Sequence, residues 1–329
     1  MADSKRAGVS LNQLSRIQLY MGQELIERYE AGLLSWRKML RGLILVGGSA
    51  AAAAAFLAAS SGPDSGASPG FKLPPGFPEI KMQPPTGPLV VKEGDPALET
   101  GMVTFSSDTE VRGYLARPKA SQSGETYPGV IVIHEMNGMS DHIKDVARRV
   151  AKAGYIALAP DLVSRWGGTG DLSFEQVVGL LANAKPAELL KDLDAGVAFL
   201  EQQPGIKAGK IGVVGFCFGG GYTLNLAAHN PKIQAAVCYY GVTPQPAEQM
   251  ANTNAAILSH YASTDQRVNA TVPELERVLQ EHGKTFVKHV HEGVVHAFNN
   301  DTVANFFNEA AAVTAWGETL AWFDKYLKS

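Results

Sequence analysis

The sequence predicts an α/β fold, a mostly parallel central sheet covered on both faces by helices. Two observations carry this. From residue 97 onward, short β-branched apolar runs alternate with segments whose apolar residues recur every three or four positions, the pattern of strands joined by crossover helices. One junction is also unusually tight. The run Lys210-Ile211-Gly212-Val213-Val214 enters Gly215-Phe216-Cys217-Phe218-Gly219-Gly220-Gly221 and leaves into Tyr222–Ala228, a strand, a sharp turn and a helix. With 329 residues, 45% of them hydrophobic, the chain is long enough for a large core, and a net charge of −3 gives no basic excess for nucleic acid.

The chain before that fold has another character. Ser10 and Gln13 have the spacing of a capping box, and Leu11, Leu14, Ile17, Met21 and Leu25 predict an amphipathic helix to about Ser35. The basic flank Trp36–Arg41 closes a first segment, 1–41. The charge-free run 42–59 follows, at the lower limit of what spans a bilayer, and reads as a signal or membrane anchor. The alternative is a buried Ala-rich helix. Residues 60–96, dense in Pro, Gly and Ser, read as a linker, and 97–329 as the α/β domain.

Within 97–329, Met102–Ser106 and Val111–Arg117 predict two strands joined at Asp108-Thr109-Glu110. Val130–His134 is a strand buried on both faces, followed by Glu135 at the end where parallel sheets bind ligands. A helix over Ser140–Ala153, a strand over Tyr155–Ala159 and helices over Phe174–Asn183 and Ala187–Gln202 return the chain to the tight junction. Beyond it come strands at Ile233–Tyr240, Ala256–Tyr261 and Phe286–His291, a helix at Val272–His282, and a last helix with Val313, Trp316, Leu320, Phe323 and Leu327 as its core stripe.

Cys217 occupies the tip of the tight turn, at a helix N-terminus that favours negative charge. It is followed in chain order by Asp265 and His296, each just past a predicted strand. Nucleophile, acid and histidine in that order suit covalent acyl transfer. Each residue has an ordinary alternative: Cys217 as a small core residue, Asp265 as a cap, and His134, His260, His289 or His291 as the base in place of His296. Cys238, in the apolar run Ala235–Tyr240, reads as a structural thiol, and the two cysteines give no disulfide framework.

These residues resemble the dienelactone hydrolase family of α/β-hydrolases. The resemblance rests on His134-Glu135, Ala159-Pro160-Asp161-Leu162, Gly215-Phe216-Cys217-Phe218-Gly219-Gly220, Tyr239-Tyr240-Gly241, Asp265 and the Gly293–Phe298 segment around His296, and covers about Pro96 to Leu327. It implies Cys217 as nucleophile, His296 as base, Asp265 as the group that orients it, and Glu135 as holder of the resting thiol. It implies the Phe218 and Met136 backbone N–H groups as oxyanion donors, and neither metal nor organic cofactor. The family grips a substrate carboxylate with arginines, one of them four residues after the catalytic histidine. Asn300 stands there in this chain, which shifts the expected substrate towards neutral esters or lactones. Arg165 and Trp166, in the connection after Asp161, join Asn300 as candidate substrate contacts.

The front of the chain is similar to the family branch with an amphipathic helix and a twin-arginine-like leader. Ser35-Trp36-Arg37-Lys38-Met39-Leu40 follows that signal, with Trp36 in place of its first arginine. The expectation is a membrane-anchored or exported hydrolase on the periplasmic side of a bacterial-type inner membrane, or a cytoplasmic one if the leader does not function. Residues 1–59 would meet a membrane or a membrane protein. The alternative function is a membrane-tethered accessory subunit that keeps a hydrolase fold.

Overall fold

A computed structural model describes residues 11, 14–60 and 84–329. Its helices in chain order are α1 (Arg16–Glu30), α2 (Trp36–Gly47), α3 (Ala50–Ser60), α4 (Asp141–Lys152), α5 (Phe174–Asn183), α6 (Pro186–Glu201), α7 (Phe218–His229), α8 (Gln266–Asn269), α9 (Val272–Glu281) and α10 (Glu309–Phe323). Its strands are β1 (Leu98–Ser106), β2 (Glu110–Pro118), β3 (Tyr127–Ile133), β4 (Ile156–Pro160), β5 (Ile206–Phe216), β6 (Ile233–Tyr239), β7 (Ala256–Ala262) and β8 (Phe286–His291). They form two compact units, one of residues 11, 14–60 and Leu172–Ala184, the other of residues 84–171 and Lys185–Ser329.

In the first unit the expected N-terminal helix ends at Glu30, short of Ser35. The capping box sits at Ser15, whose Oγ accepts the Gln18 N–H at 3.2 Å while Gln18 Oε1 accepts the Ser15 N–H at 2.9 Å. The box expected at Ser10 and Gln13 falls outside the described residues. α1 ends at Glu30, and Ser35 then starts α2 by accepting the Lys38 N–H at 3.3 Å. The apolar run 42–59 is likewise not one span. Gly48, at φ +72°, ends α2 in the left-handed region, and α3 departs at 111° to it. Among the described residues no single helix is long and apolar enough to cross a membrane.

α5 belongs with these helices, although the sequence places it in the 97–329 domain. Asn183 Nδ2 donates to the Leu45 carbonyl at 2.9 Å, and Gln18 Nε2 donates to the Val46 carbonyl and to Asn183 Oδ1, each at 3.0 Å. Carbonyls in the last turn of a helix have no intrahelical donor, and these two amides supply one.

The second unit is an eight-stranded sheet in the order β1-β2-β4-β3-β5-β6-β7-β8. β1, β2 and β4 pair antiparallel, while β4, β3 and β5 to β8 run parallel, so the sheet is mixed rather than uniformly parallel. Helices lie on both faces, as β5 makes clear. A Cβ at Gly212 would meet Phe323 and Leu327 at the C-terminal end of the chain, whereas one at Gly215 would meet Gly219 and Thr223 of α7. Positions of opposite parity point to opposite faces of a strand.

On the face toward the C-terminal helix, register aligns Phe216, Tyr239, His260 and His289 across four neighbouring strands. Their rings touch in sequence, with centroids 4.7, 4.7 and 5.8 Å apart. The end of the expected linker is docked on this unit. The Gly87 N–H reaches Asp301, and the Val91 N–H reaches Asp145 of α4.

Candidate active site

The tight turn after β5 holds Cys217 at φ +57°, in the left-handed region. Among the described residues the two other non-glycine residues with positive φ are Tyr240 (+39°) and Ala297 (+63°), one past the end of β6 and the other beside His296. Such conformations cost on the order of 1–3 kcal/mol each and persist only where surrounding contacts impose them. All three gather at the C-terminal edge of the sheet, where α/β folds bind ligands.

Backbone packing forces the turn. A Cβ at Gly219 would lie 2.3 Å from the Ile133 carbonyl oxygen and 2.5 Å from that of His134, so only glycine lets α7 start against the end of β3. The Cys217 N–H donates to the Tyr239 carbonyl at 3.0 Å, fixing the turn against β6. Phe218 is the first residue of α7, where an N–H has no intrahelical acceptor.

His296 comes from the loop after β8. Its ring carries a nitrogen within 4.8 Å of Cys217 Sγ, and its Nδ1 bonds Asp265 Oδ2 at 2.5 Å. Asp265 follows β7, and its other oxygen accepts the Val268 N–H at 3.1 Å, so it caps α8 and pairs with His296 at once. Burial alone would raise the Asp265 carboxyl. The His296 imidazole, Arg267 and the Val268 N–H outweigh that and hold it below the usual carboxylate range.

Glu135 is buried just past β3, beside the start of α7. Its Oε2 accepts from Asn300 Nδ2 at 2.7 Å and Asn137 Nδ2 at 3.3 Å, while its Oε1 is buried with no hydrogen-bond donor among the described residues. Asn300 is itself buried and also accepts both hydrogens of Thr302, one from N–H and one from O–H. It therefore stands behind Glu135 and ties the His296 loop to the end of β3.

Arg165 makes its bonds elsewhere. Its guanidinium binds both oxygens of Asp192 at 2.7 Å, pairs with Asp108 and reaches the Glu188 carbonyl, joining the β1–β2 turn to α6. Trp166 closes the same connection through its N–H to the Val163 carbonyl.

Two further features have no assigned role in the sequence. Asp301, five residues past His296, is buried between His142 (3.4 Å) and Arg149 (2.9 Å) of α4 and accepts the Gly87 N–H at 3.0 Å. Burial would raise its carboxyl, but these three partners together bring it down to about 2. His142 and Arg149, seven positions apart on one helix face, were the signal available for this anchor. The second feature is Tyr240, whose ring lies 4.8 Å from that of His296 and 5.5 Å from Phe298.

The competing groups are accounted for as well. His134 Nδ1 donates to the Glu135 carbonyl at 2.6 Å and its Nε2 accepts the Leu162 N–H at 3.1 Å, the bonding of a neutral ring. Burial, against the nearby Asp161, holds it below the ordinary imidazole range. Burial likewise pushes the Cys238 thiol up to about 12, consistent with a structural role.

A strained strand-to-helix cysteine, with an acid–histidine pair from the next strand ends of a mixed eight-stranded sheet, is the architecture of an α/β-hydrolase. The sequence profile of the dienelactone hydrolase family matches residues 111–327, and the chain belongs to that family. It is 32% identical over 260 residues to a provisionally named carboxymethylenebutenolidase of Methylorubrum extorquens, covering 75% of this chain and 88% of that protein. It is also 32% identical to a provisionally named 2-oxo-3-(5-oxofuran-2-ylidene)propanoate lactonase of a Bradyrhizobium species, over 65% of this chain and 89% of that one. A crystal structure of a provisionally named dienelactone hydrolase from Klebsiella pneumoniae superposes with a TM-score of 0.64 at 32% identity, covering 70% of this chain and all of that one. These relatives carry enzyme names, which favours the hydrolase reading over an accessory subunit.

Proposed function

We propose that this carboxylic ester and lactone hydrolase works through a thioester on Cys217, with His296 as the base and Asp265 as its orienting partner. One observation carries the reading: Cys217 is held in a strained turn with Sγ within 4.8 Å of a ring nitrogen of His296, and the ring is fixed through Nδ1 by Asp265. An Nδ1–H donated to Asp265 leaves the Nε2 lone pair for proton transfer.

The steps follow from that arrangement. His296 Nε2 takes the Cys217 thiol proton, the thiolate attacks the substrate carbonyl carbon, and the carbonyl π pair moves to oxygen, where the Phe218 and Met136 N–H groups receive it. The tetrahedral adduct expels the alkoxide, which takes a proton from His296. A thioester remains, and from a lactone the alcohol stays attached to the acyl chain. His296 then removes a proton from water, the resulting hydroxide attacks the thioester, and the Cys217 thiolate leaves. Glu135, steadied by Asn300, holds the resting thiol. With Asn300 engaged in this way and Arg165 bound to Asp192 and Asp108, the groups around the site favour a neutral ester or lactone over one that brings a free carboxylate.

Turnover of a p-nitrophenyl ester and of a simple γ-lactone by the Cys217→Ala variant tests this. The expected loss is on the order of 10⁴-fold or more for both. Wild-type turnover by the variant would refute the nucleophile.

A further inference from the structure

A second cluster of imidazoles lies on the other side of Phe298. His260 of β7, His289 and His291 of β8, and Glu318 of α10 meet on the face toward the C-terminal helix. Period-two alternation puts His289 and His291 on one side of β8, and register sets His260 opposite His289. One ligand-type atom each from His260, His291 and Glu318 lies within 4.8 Å of the others.

Hydrogen-bond accounting fixes the tautomer of His260. Thr319 Oγ1 lies 2.8 Å from the Ala315 carbonyl, which can only accept, so its single hydrogen goes there. The Tyr239 hydroxyl, 2.7 Å away, must then donate to Thr319, and so must His260 Nε2, at 3.4 Å. The His260 proton is thus on Nε2, and Nδ1 presents a lone pair.

That lone pair faces His291 Nε2 at 3.2 Å and Glu318 Oε2 at 3.6 Å. Oε2 is shut off from solvent and has no hydrogen-bond donor among the described residues. Glu318 Oε1, in contrast, pairs with His289 Nδ1 at 3.2 Å, which holds the carboxylate in place. A proton on His291 Nε2 would join the two imidazoles but leave Oε2 without a partner. A cation among the three satisfies every lone pair.

The ligand set selects the cation. Four-coordinate Zn²⁺ with bonds of about 2.0–2.2 Å sets neighbouring ligand atoms about 3.3–3.6 Å apart; His260 Nδ1 lies 3.2 Å from His291 Nε2 and 3.6 Å from Glu318 Oε2, and the His291–Glu318 pair closes to within 4.8 Å. Two imidazoles and one carboxylate form a ligand set that suits Zn²⁺ rather than Mg²⁺ or Ca²⁺, which prefer all-oxygen sites. The Nε2–H of His260 to Thr319, itself bonded to Tyr239 and the helix carbonyl, is the outer bond that ligating histidines characteristically make.

We propose that His260 Nδ1, His291 Nε2 and Glu318 Oε2 form a zinc site, separate from the Cys217 cluster, with its fourth position open to water or an external ligand.

The test uses the full-length, tag-free chain, stripped with a chelator and equilibrated by dialysis with Zn²⁺, and in parallel with Co²⁺ as a spectroscopic probe. The wild-type chain is expected to retain one Zn²⁺ and to give the intense visible absorption of four-coordinate Co²⁺. His291→Ala and Glu318→Gln should each weaken Zn²⁺ by more than about 100-fold, beyond the ~10–100-fold typical of an outer-shell partner. Glu318→Gln is isosteric on a half-buried side chain, and circular dichroism verifies that it folds. Failure of the wild-type chain to hold stoichiometric Zn²⁺, or equal retention by the folded Glu318→Gln variant, overturns the proposal.

Discussion

The loop after β8 separates two histidine sites that look alike in sequence and differ in what their nitrogens face. His296 bonds a carboxylate through Nδ1 and has a ring nitrogen within 4.8 Å of the Cys217 thiol. His260 and His291 turn two nitrogens and a carboxylate oxygen toward one point, with no hydrogen to connect all three. The rings of Phe298 and Tyr240 stand between the sites, Phe298 4.9 Å from His291 and 5.5 Å from Tyr240. One arrangement suits moving a proton, the other holding a cation. Residue type alone does not decide between them; the partner of each nitrogen does.

The sharpest way to separate the sites is His296→Ala. Turnover of a lactone should fall by on the order of 10⁴-fold, while Zn²⁺ retention stays at the wild-type level. Loss of both together would merge what the geometry separates.

The anchor of the His296 loop gives the next effect. Asp301→Ala strips Arg149 and His142 of a buried carboxylate, and because Asp145 still pairs with Arg149 the expected cost is about 3 kcal/mol, at the low end for a broken buried pair. Urea unfolding measures it. The pH dependence follows from the lowered carboxyl. A folded-state value of about 2, against 3.8 ordinarily, means the Asp301 contribution is complete above about pH 5 and lost as pH falls toward 2. The variant should therefore lose less stability than wild type over that acid window.

A smaller effect is expected at Asn300. Asn300→Ala removes the shorter of the two amide bonds to Glu135 Oε2, at a cost of about 1–3 kcal/mol in stability. With the carboxylate no longer held, kcat should fall more than KM changes. A rise in KM alone would return Asn300 to the role of a substrate contact.

Much of the catalytic unit was legible because its signals are local. The β5 turn announces itself through glycines that only a close backbone approach requires, and strand positions followed from apolar runs buried on both faces. The N-terminal helices were harder to read. A charge-free stretch looks continuous in sequence, and only the left-handed Gly48 divides it. Ser15 and Gln18 form a capping box with the same Ser–Gln spacing as Ser10 and Gln13, which lie outside the described residues. α5 could not be placed at all from periodicity, since its polar ties to α1 and α2 span more than 130 residues. The bond from Asn300 to Glu135 was hidden for the same reason, since the two are 165 positions apart.

A thioester on Cys217 can be caught directly. Deacylation needs His296, whereas attack on a p-nitrophenyl ester needs no proton for its leaving group. Mixing the His296→Ala variant with p-nitrophenyl acetate, quenching in acid and mapping peptides by mass should place one acetyl group per chain on Cys217. An acetyl group on another residue, or none while nitrophenolate is released at the wild-type rate, would exclude Cys217 as the nucleophile.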